Sequence, residues 1–491
     1  MAHIKDSALE KSLQPHGKKI ITASHTLNQS ELTPKIWGLW LITGAGFALD
    51  GFDLFIIGIA LPLLMKQYTI LAENPFLIGF LAAAAPIGAI IGAAVFGRLT
   101  DTLGRKFILI LNMIIFIIFS ILCAGAWDVW SLIFFRFIAG IGIGGEYPVN
   151  SAYIAEIIPK KHRKQMQVGN FSFQAVGAIL GALTGVIVLE LIPQVWTWRL
   201  MLGIPAIISF ILFFFRLSMP ESSKWLATQG NQKEAAKSLQ TMTGDKVKLT
   251  EMKKRPKTNF TDIFKKDYIK LTVLSSVPWF LMDVAFYGIG IFTPIILSSL
   301  IKHAPENFIE KDLQSIKGAL FVDSFLIIGI IIAIILVKKR GMISLQIKGF
   351  WGMGIGMLIL MTTAYITYLP LYYFSIFAGF TIFYLCLNAG PNPMTFLIPA
   401  KVYPTELRAT GHGFAAAFAK AGATIGIVIL PWMQAKMGVT NLVFFMAIIC
   451  IAGALITQLF AHLIIVDKEL KKYQNILDGV FTKKQMMNRK L

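Results

Sequence analysis

Apolar segments long enough to cross a lipid bilayer alternate with short polar segments along most of this chain. A bilayer core about 30 Å thick needs about 20 apolar residues in a helix, and the sequence offers twelve such segments. They lie near residues 36–65, 76–97, 107–126, 131–157, 167–192, 198–217, 268–300, 317–337, 344–363, 369–399, 409–435 and 440–466. The pattern predicts an all-α membrane protein with twelve transmembrane helices.

The polar segments divide the chain into two sets of six helices. The longest interior polar segment, residues 218–267, separates a half at 36–217 from a half at 268–466. Polar stretches at 1–35 and 467–491 precede and follow the two halves. We expect each half to fold as a six-helix unit.

The distribution of basic residues predicts how these helices are oriented. Lysines and arginines are concentrated in alternate loops, among them Lys160 and Lys161 after the fourth segment and Lys338 and Lys339 after the eighth. Loops rich in these residues remain in the cytoplasm, so both termini and residues 218–267 are expected there. The net charge of +20 and the 56% hydrophobic residues therefore indicate a lipid bilayer as partner, and not nucleic acid.

Two carboxylates lie at equivalent depths in the two halves. Asp283 interrupts an apolar stretch, and Asp53 does the same in the first segment; a glycine follows each aspartate five residues later, Gly288 and Gly58. A charge at membrane depth costs at least about 2.5–3.5 kcal/mol and usually faces a cavity or a partner. The repeat predicts a duplicated bundle with a polar centre.

Loops of the two halves also repeat. Pro159, followed four residues later by Arg163, matches Pro404 followed by Arg408. Two six-helix halves related in this way are the plan of a secondary transporter, in which substrate binds near the membrane midplane and the halves rock about it. A channel or a membrane enzyme can share the helix count, but neither predicts this pairing of loops.

The loop after the second segment resembles the signature of the major facilitator superfamily, and the end of the sixth resembles a sugar-porter motif. The resemblance implies that these loops hold gating ion pairs. The candidate gating and motif residues are Gly97, Arg98, Asp101, Gly104, Arg105, Lys106, Arg136, Glu156, Arg163, Glu221, Glu406 and Arg408.

Within that superfamily the chain resembles the phosphate:proton symporter family. The matching stretches are 136–148 in the fourth segment, 279–288 in the seventh, 388–396 in the tenth and 404–420 around the eleventh. Two residues depart from the family pattern. Glu146 stands where the family has aspartate, and Lys401 where it usually has an acidic residue.

The resemblance implies a major facilitator fold and proton-coupled import of phosphate across the plasma (inner) membrane. It implies substrate-binding residues at Tyr147, Gln174, Trp279, Asp283, Tyr287 and Lys420, and proton-coupling carboxylates at Asp50, Asp53, Glu146 and Asp283. No enzymatic activity, metal or other cofactor is expected. The expected partners are a small anion, protons and lipid, with the monomer as the functional unit.

The chemistry of the residues agrees with an anion site. Phosphate near neutral pH carries between about one and two negative charges and several acceptor oxygens, so its site needs hydrogen-bond donors and a cation. Lys420 lies in an otherwise apolar segment. Trp279, Asp283 and Tyr287 recur every four residues, which places them on one face of a helix.

Other readings of these residues remain open. The aromatic residues and Gln174 also fit helix packing, Lys420 and Asp283 a structural salt bridge, and Glu146 a structural partner of Arg136 or of a loop arginine. Gly140 and Gly144 indicate close helix packing, and His412 a loop histidine. An organic-anion or sugar symporter, or a phosphate sensor with a transporter fold, are the alternative functions.

Overall fold

The computed structural model describes residues 30–244, 259–300, 305, 307–403 and 408–488. Every regular element in these ranges is a helix. The helices up to the central polar segment are α1 (Pro34–Gln67), α2 (Thr69–Glu73), α3 (Pro75–Leu103), α4 (Arg105–Ala124), α5 (Val129–Ile157), α6 (Arg163–Phe171), α7 (Phe173–Leu191) and α8 (Trp198–Leu217). The central segment contains α9 (Ser223–Thr228) and α10 (Gln232–Thr243).

The second half begins after a short 3₁₀ turn at Phe260–Phe264. Its helices are α11 (Ile269–Leu300), α12 (Phe308–Arg340), α13 (Met342–Thr362), α14 (Leu369–Ala389), α15 (Pro391–Leu397), α16 (Pro399–Val402) and α17 (Arg408–Asn488). The two ends of the bundle are named here by the central segment. α9 and α10 lie on the central-segment side, and the end of α11 and the start of α12 lie on the opposite side.

In the described part of the chain, eleven helices are long and apolar enough to cross a membrane. The last, Thr410–Leu463, has 54 residues; at 1.5 Å per residue it would extend about 80 Å, far beyond a bilayer core of about 30 Å. Gly438, at φ 75° and ψ 166°, interrupts its helical backbone. The interruption lies in the gap predicted between segments 409–435 and 440–466.

Part of the central segment packs against the start of α1. The Asn231 side chain accepts a hydrogen bond from the backbone of Glu234 and caps α10, whose residues Leu239 and Met242 are buried. The Thr33 hydroxyl donates to the backbone oxygen of Met242 at 2.6 Å. The hydropathy pattern did not indicate these two short helices, because they do not cross the membrane.

Glycines allow the helices that carry the central polar residues to approach closely. A Cβ atom at Gly140 or Gly144 of α5 would lie 2.0 or 2.1 Å from a backbone oxygen of α3, which confirms the close packing predicted for this pair. Gly51 and Gly177 have the same role where α1 crosses α7, at 1.9 and 1.8 Å. Asp50 is thereby held against α7.

Candidate functional site

Lys420 is at the centre of a buried polar cluster between the two halves of the chain. Its ammonium group donates to the hydroxyls of Tyr147 (2.9 Å) and Tyr287 (2.8 Å) and lies 4.0 Å from a carboxylate oxygen of Asp283. It also lies 4.4 and 4.3 Å from the centroids of the two tyrosine rings. Only 5% of Lys420 is exposed. A buried cation needs such partners, and together they fix the position of its charge.

Gln174 and Asp50 complete this group from the first half. The Gln174 amide nitrogen lies 2.8 Å from Asp50 Oδ2, 2.7 Å from the Tyr147 hydroxyl and 2.9 Å from the Tyr287 hydroxyl. The Tyr147 hydroxyl also donates to Asp50. These residues, with Lys420 and Asp283, are called the Lys420 cluster. Within the part of the chain that the structure describes, Asp50 Oδ1, Gln174 Oε1 and Asp283 Oδ2 have no hydrogen-bond partner.

Five of the six expected substrate residues therefore lie in one cluster. Trp279, the sixth, lies one turn before Asp283 on α11, as its spacing predicts. Its ring packs edge-on against Phe396 at 6.2 Å and His412 at 5.7 Å. His412 was expected in a loop; that expectation is wrong, because the residue is 5% exposed and lies in the first turns of α17. Its Nε2 atom lies 3.1 Å from the Phe396 backbone oxygen.

Asp50 and Asp53 have different environments, although both were expected to handle protons. Asp50 belongs to the Lys420 cluster. Asp53 lies beside Arg136 on α5, whose guanidinium donates to Asp53 Oδ2 at 3.2 Å and Oδ1 at 3.4 Å. Both members of this pair are buried. Asp53 therefore holds its charge in a separate ion pair.

Glu146 has a partner that the sequence analysis missed. The Arg216 guanidinium, at the end of α8, donates to both Glu146 carboxylate oxygens, at 2.6 and 2.7 Å. The Asn150 amide adds a third bond at 2.9 Å. The alternative reading of Glu146 as a structural partner of Arg136 or of a loop arginine named the wrong arginine, because Arg136 pairs with Asp53 and Glu146 pairs with Arg216 inside a helix. An arginine at the end of a span is typical of a membrane boundary, so nothing in the sequence singled out Arg216. The one available signal was Glu146 itself, because a carboxylate inside a span needs a cationic partner.

A small cavity separates the Lys420 cluster from the Glu146–Arg216 pair. Its volume is about 10 Å³, and its lining includes Asp50, Asn112, Met113 and Glu146. Neither amide atom of Asn112 has a hydrogen-bond partner within the described ranges. The volume corresponds to about one water molecule, and such a site needs several polar groups. Asp50 and Glu146 thus line the same small cavity from its two sides.

Aromatic rings close the cluster on the central-segment side. Phe171 stacks on Phe396 with ring centroids 4.5 Å apart and an interplanar angle of 10°. Phe47 contacts both rings edge-on, at 5.5 and 6.0 Å. Phe171 and Phe47 belong to the first half and Phe396 to the second. These three residues are called the aromatic layer, and they join the two halves on the central-segment side of Lys420.

Backbone contact closes the cluster on the opposite side. A Cβ atom at Gly58 of α1 would lie 1.9 Å from the Ile291 backbone oxygen of α11. The rings of Phe55 and Phe286 meet beside this contact at 5.6 Å. These four residues, called the opposite-side seal, again come from both halves. The Lys420 cluster is therefore enclosed at both ends.

Ion pairs organise the loops on the central-segment side. Arg105 donates to both oxygens of Glu156 at 3.1 Å. Glu221 accepts from the backbone N–H groups of Arg105 and Lys106 at 3.1 and 3.0 Å, where the positive end of α4 favours an anion. Burial raises the pKa of the Glu221 carboxyl above its usual range, although these backbone donors favour the ionised form. Arg105 and Glu156 were both expected in loop ion pairs, and they pair with each other.

The remaining gating residues have varied surroundings. Gly104 adopts φ 97° and would bring a Cβ atom within 2.4 Å of Glu221. Gly97 packs near Pro148, and Arg98 is exposed. Arg163 donates to the backbone oxygen of Ile158 at 3.1 and 3.3 Å. The side chains of Asp101 and Arg408, and residue Glu406 as a whole, lie outside the described residues.

The described residues contain no group of three or more His, Cys, Asp or Glu side chains placed to hold a metal ion. The polar groups at the centre are hydroxyl, amide, carboxyl and one ammonium. This set can bind an oxyanion through Lys420 and can bind protons at Asp50 and Asp283.

Comparison with known proteins agrees with this architecture. Residues 39–476 match the model of a family described as "Sugar (and other) transporter". The chain resembles "Inorganic phosphate transporter 1-2" from Oryza sativa subsp. japonica, with 29% identity over 79% of this chain and 81% of that protein. It resembles "Probable inorganic phosphate transporter 1-6" from Arabidopsis thaliana at 28% identity, covering 85% and 89% of the two chains.

Solved structures show the same fold. One is the major facilitator superfamily proton:xylose symporter XylE bound to 6-bromo-6-deoxy-D-glucose. It superposes on this chain with a TM-score of 0.71 at 19% identity, and the match covers 88% of this chain and 96% of the other. The partially occluded inward-open form of the xylose transporter XylE from E. coli gives 0.69 at 19% identity, covering 86% and 99%. The chain is an integral, multi-pass membrane protein of the sugar (and other) transporter family, within the major facilitator superfamily.

Proposed function

We propose that this protein is a proton-coupled secondary transporter that imports inorganic phosphate by alternating access. The observation that carries the proposal is the enclosed position of Lys420, whose ammonium group is held by Tyr147 and Tyr287 and lies 4.0 Å from Asp283. The names of the plant relatives, all inorganic phosphate transporters, support phosphate as the substrate.

Phosphate is bound in this proposal by groups that already surround the ammonium. The anion takes a charge-assisted hydrogen bond from Lys420 and further bonds from the hydroxyls of Tyr147 and Tyr287 and the amide of Gln174. Such charge-assisted bonds are roughly twice as strong as neutral ones. Asp283 already lies beyond hydrogen-bond distance of Lys420, so the ammonium can turn to the anion without breaking a direct bond to that carboxylate.

Protons make this binding favourable because two carboxylates surround the anion site. An ionised Asp50 or Asp283 would repel phosphate. Protonation of either carboxyl removes that repulsion, and by reciprocity bound phosphate favours protonation. The unpaired atoms Asp50 Oδ1 and Asp283 Oδ2 are the positions at which these protons bind. Asp53 and Glu146 are the further carboxylates assigned to proton coupling, and each would have to leave its arginine partner to accept a proton.

Alternating access follows from the two closures around the Lys420 cluster. The aromatic layer and the opposite-side seal each join one half to the other, so separation of either opens a path to one side only. A loaded site is closer to neutral and is therefore less costly to enclose. Proton release on the inner side restores the negative charge, which expels phosphate. Net positive charge moving inward adds about 2.3 kcal/mol per charge per 100 mV.

The membrane topology is part of the proposal. Division of α17 at Gly438 makes twelve spans of the eleven apolar helices, six on each side of the central segment. An even number of spans places both termini on one side, and the basic loops assign that side to the cytoplasm. The opposite-side seal then faces the exterior of the plasma membrane. The monomer contains every group of the site.

A symporter for organic anions or for sugars is the alternative. An organic anion would also need Lys420, whereas a neutral sugar such as the xylose named for the structural neighbours would not. We test the substrate with purified protein in liposomes, acidic outside, measuring uptake of radiolabelled phosphate in the presence of an unlabelled competitor. Phosphate should compete fully, and citrate, succinate and xylose should not. Negligible uptake of labelled phosphate, or uptake that citrate, succinate or xylose abolishes, would contradict the proposal.

A further inference from the structure

A second buried carboxyl lies in the second half, outside the Lys420 cluster. Asp323 of α12 is 3% exposed, and its Oδ1 atom has no hydrogen-bond partner within the described ranges. Its interaction partner is the Tyr384 side chain of α14. The Tyr384 hydroxyl lies 2.6 Å from the Thr293 hydroxyl of α11. These three residues, called the Asp323 cluster, join three helices of the second half.

The available hydrogens allow two arrangements of this cluster. The Thr293 hydroxyl is 2.9 Å from the Ile289 backbone oxygen and 2.6 Å from Tyr384. If Thr293 donates to Ile289, Tyr384 must donate to Thr293, and Asp323 must then supply the proton that it shares with Tyr384. If Asp323 is ionised it can only accept, and the Tyr384 hydroxyl can then turn its proton from Thr293 to the carboxylate. Binding of one proton at Asp323 therefore bears on the Tyr384–Thr293 contact between α14 and α11.

Among the described residues, no lysine or arginine forms a salt bridge with Asp323, and its side-chain hydrogen-bond partner is Tyr384. Lys317 of α12 lies about 9 Å further along the helix axis and pairs with Glu190 of α7 at 2.7 Å. A carboxylate buried without a cation is costly, so the carboxyl is stable in the closed bundle when it carries a proton.

Charged groups on the other neighbouring helices lie elsewhere. Asp283 and Tyr287 of α11 belong to the Lys420 cluster, Lys348 of α13 is exposed, and Arg163 of α6 bonds to the backbone of its own loop. The protonation of Asp323 is therefore governed by burial and by the Tyr384 hydroxyl.

The Asp323 cluster contacts the opposite-side seal. A Cβ atom placed on Gly290 would lie 3.1 Å from the ring of Phe55 and 3.6 Å from the Tyr384 hydroxyl. Gly290 precedes Ile291, the residue that meets Gly58 across the two halves. Opening of this seal would change the surroundings of Tyr384, and with them the hydration of Asp323.

We propose that Asp323 is a second proton-binding site, which takes up a proton when the opposite side opens and retains it while that side is closed. This inference rests on the proposed proton-coupled transport. It adds a carboxyl of the second half to a coupling system otherwise centred on Lys420. Closure of the opposite-side seal would then depend on a proton at Asp323, whose cluster meets α11 at Thr293, more than two helical turns from Asp283.

The test compares Asp323→Asn and Tyr384→Phe with wild type in liposomes. Asn resembles the protonated acid, so phosphate exchange at equal internal and external concentrations should persist. The number of protons moved per phosphate should fall by about one, with a matching loss of slope in the pH dependence of uptake. Tyr384→Phe keeps the carboxyl and removes its partner, so the pH midpoint of uptake should shift.

Thr457→Val is the matched control, because Thr457 is a buried hydroxyl of the same half that bonds to Gln346 at 2.9 Å. It should leave the pH profile unchanged. An Asp323→Asn variant with the wild-type proton count and slope would overturn the inference. Uptake that depends on external sodium in wild type, and loses that dependence in Asp323→Asn, would also overturn it. If Asp323→Asn does not fold, an unshifted Tyr384→Phe midpoint overturns it. Absence of pH-driven uptake by wild type would instead overturn the proposed function itself.

Discussion

At the residue scale, the central feature is one ammonium group held by two tyrosine hydroxyls and facing one carboxylate, Asp283, while a second carboxylate, Asp50, joins it through Tyr147 and Gln174. The family motifs singled out Tyr147, Gln174, Asp283, Tyr287 and Lys420, and the structure brings these five residues together in one cluster. Helix spacing alone predicts which residues share a face. It does not predict which faces meet across the two halves, and that information came from the family resemblance.

Lys420→Ala should weaken phosphate binding by tenfold or more. The substitution removes a charge-assisted hydrogen bond, which contributes on the order of 1.5–3 kcal/mol. Calorimetric titration of phosphate in detergent measures the effect. Lys348→Ala, which changes an exposed lysine of the same half, is the control and should bind as wild type does. Unchanged affinity in Lys420→Ala would remove this residue from the anion site.

Two residues escaped the sequence analysis for different reasons. Arg216 lies at a span end, where arginine normally marks the membrane boundary, and only the structure shows its guanidinium turned inward to Glu146. Asp323 lies within the eighth predicted segment. The rule that singled out Asp283, a carboxylate inside an apolar span, applies to it equally.

Glu146→Gln and Arg216→Gln should each destabilise the protein more than the double substitution does. Removing one partner of a buried ion pair leaves an uncompensated charge and costs about 3–5 kcal/mol, whereas replacing both partners is often nearly neutral. Thermal unfolding in detergent, arranged as a double-mutant cycle, measures the coupling. Strictly additive effects would show that the two side chains do not stabilise each other.

At the element scale, the sequence predicted the membrane-spanning segments better than the ends of the helices. The eighth segment was expected at 317–337, but α12 extends over Phe308–Arg340. Hydropathy detects only the apolar part of a helix. The polar first turns form because the Asn307 side chain caps them, accepting from the backbone of Ile309 and Glu310. Of the two glycines that repeat in the halves, Gly58 and Gly288, the first lies at the contact between α1 and α11, where it allows the two backbones to touch.

Gly58→Ala should impair closure of the opposite-side seal. The added methyl group would lie 1.9 Å from the Ile291 backbone oxygen. Overpacking of this kind costs about 1–3 kcal/mol, equivalent to a population shift of about 5- to 150-fold. Phosphate uptake should fall, and a cysteine introduced at Phe55 in a cysteine-free background should react faster with an external thiol reagent.

Gly38→Ala provides the control on the same helix, since a Cβ atom there meets nothing within 4 Å. Its uptake and cysteine reactivity should match those of the unmodified protein. Equal reactivity of the Gly58→Ala and Gly38→Ala variants would show that the α1–α11 contact does not close the opposite side.

At the scale of the whole molecule, the two halves meet around the Lys420 cluster and also at the periphery, where Lys317 pairs with Glu190 and Gly79 packs against the backbone of Val428. The aromatic layer and the opposite-side seal each take residues from both halves, so movement of one half against the other must open one of them. Hydropathy and loop charge predict the number and direction of the spans but not which conformation the bundle adopts, because that depends on contacts such as Phe171 on Phe396.

The most direct test of the account is whether phosphate movement itself drives protons. Liposomes containing the protein and an internal pH indicator are given an inward phosphate gradient, with equal pH on both sides and the membrane potential clamped. Wild type should acidify the interior as phosphate enters. Asp283→Asn should exchange labelled phosphate but acidify the interior less than wild type does, because its amide cannot carry a proton. Phosphate entry by wild type with no acidification, or acidification by Asp283→Asn equal to that of wild type, would contradict coupling through the Lys420 cluster.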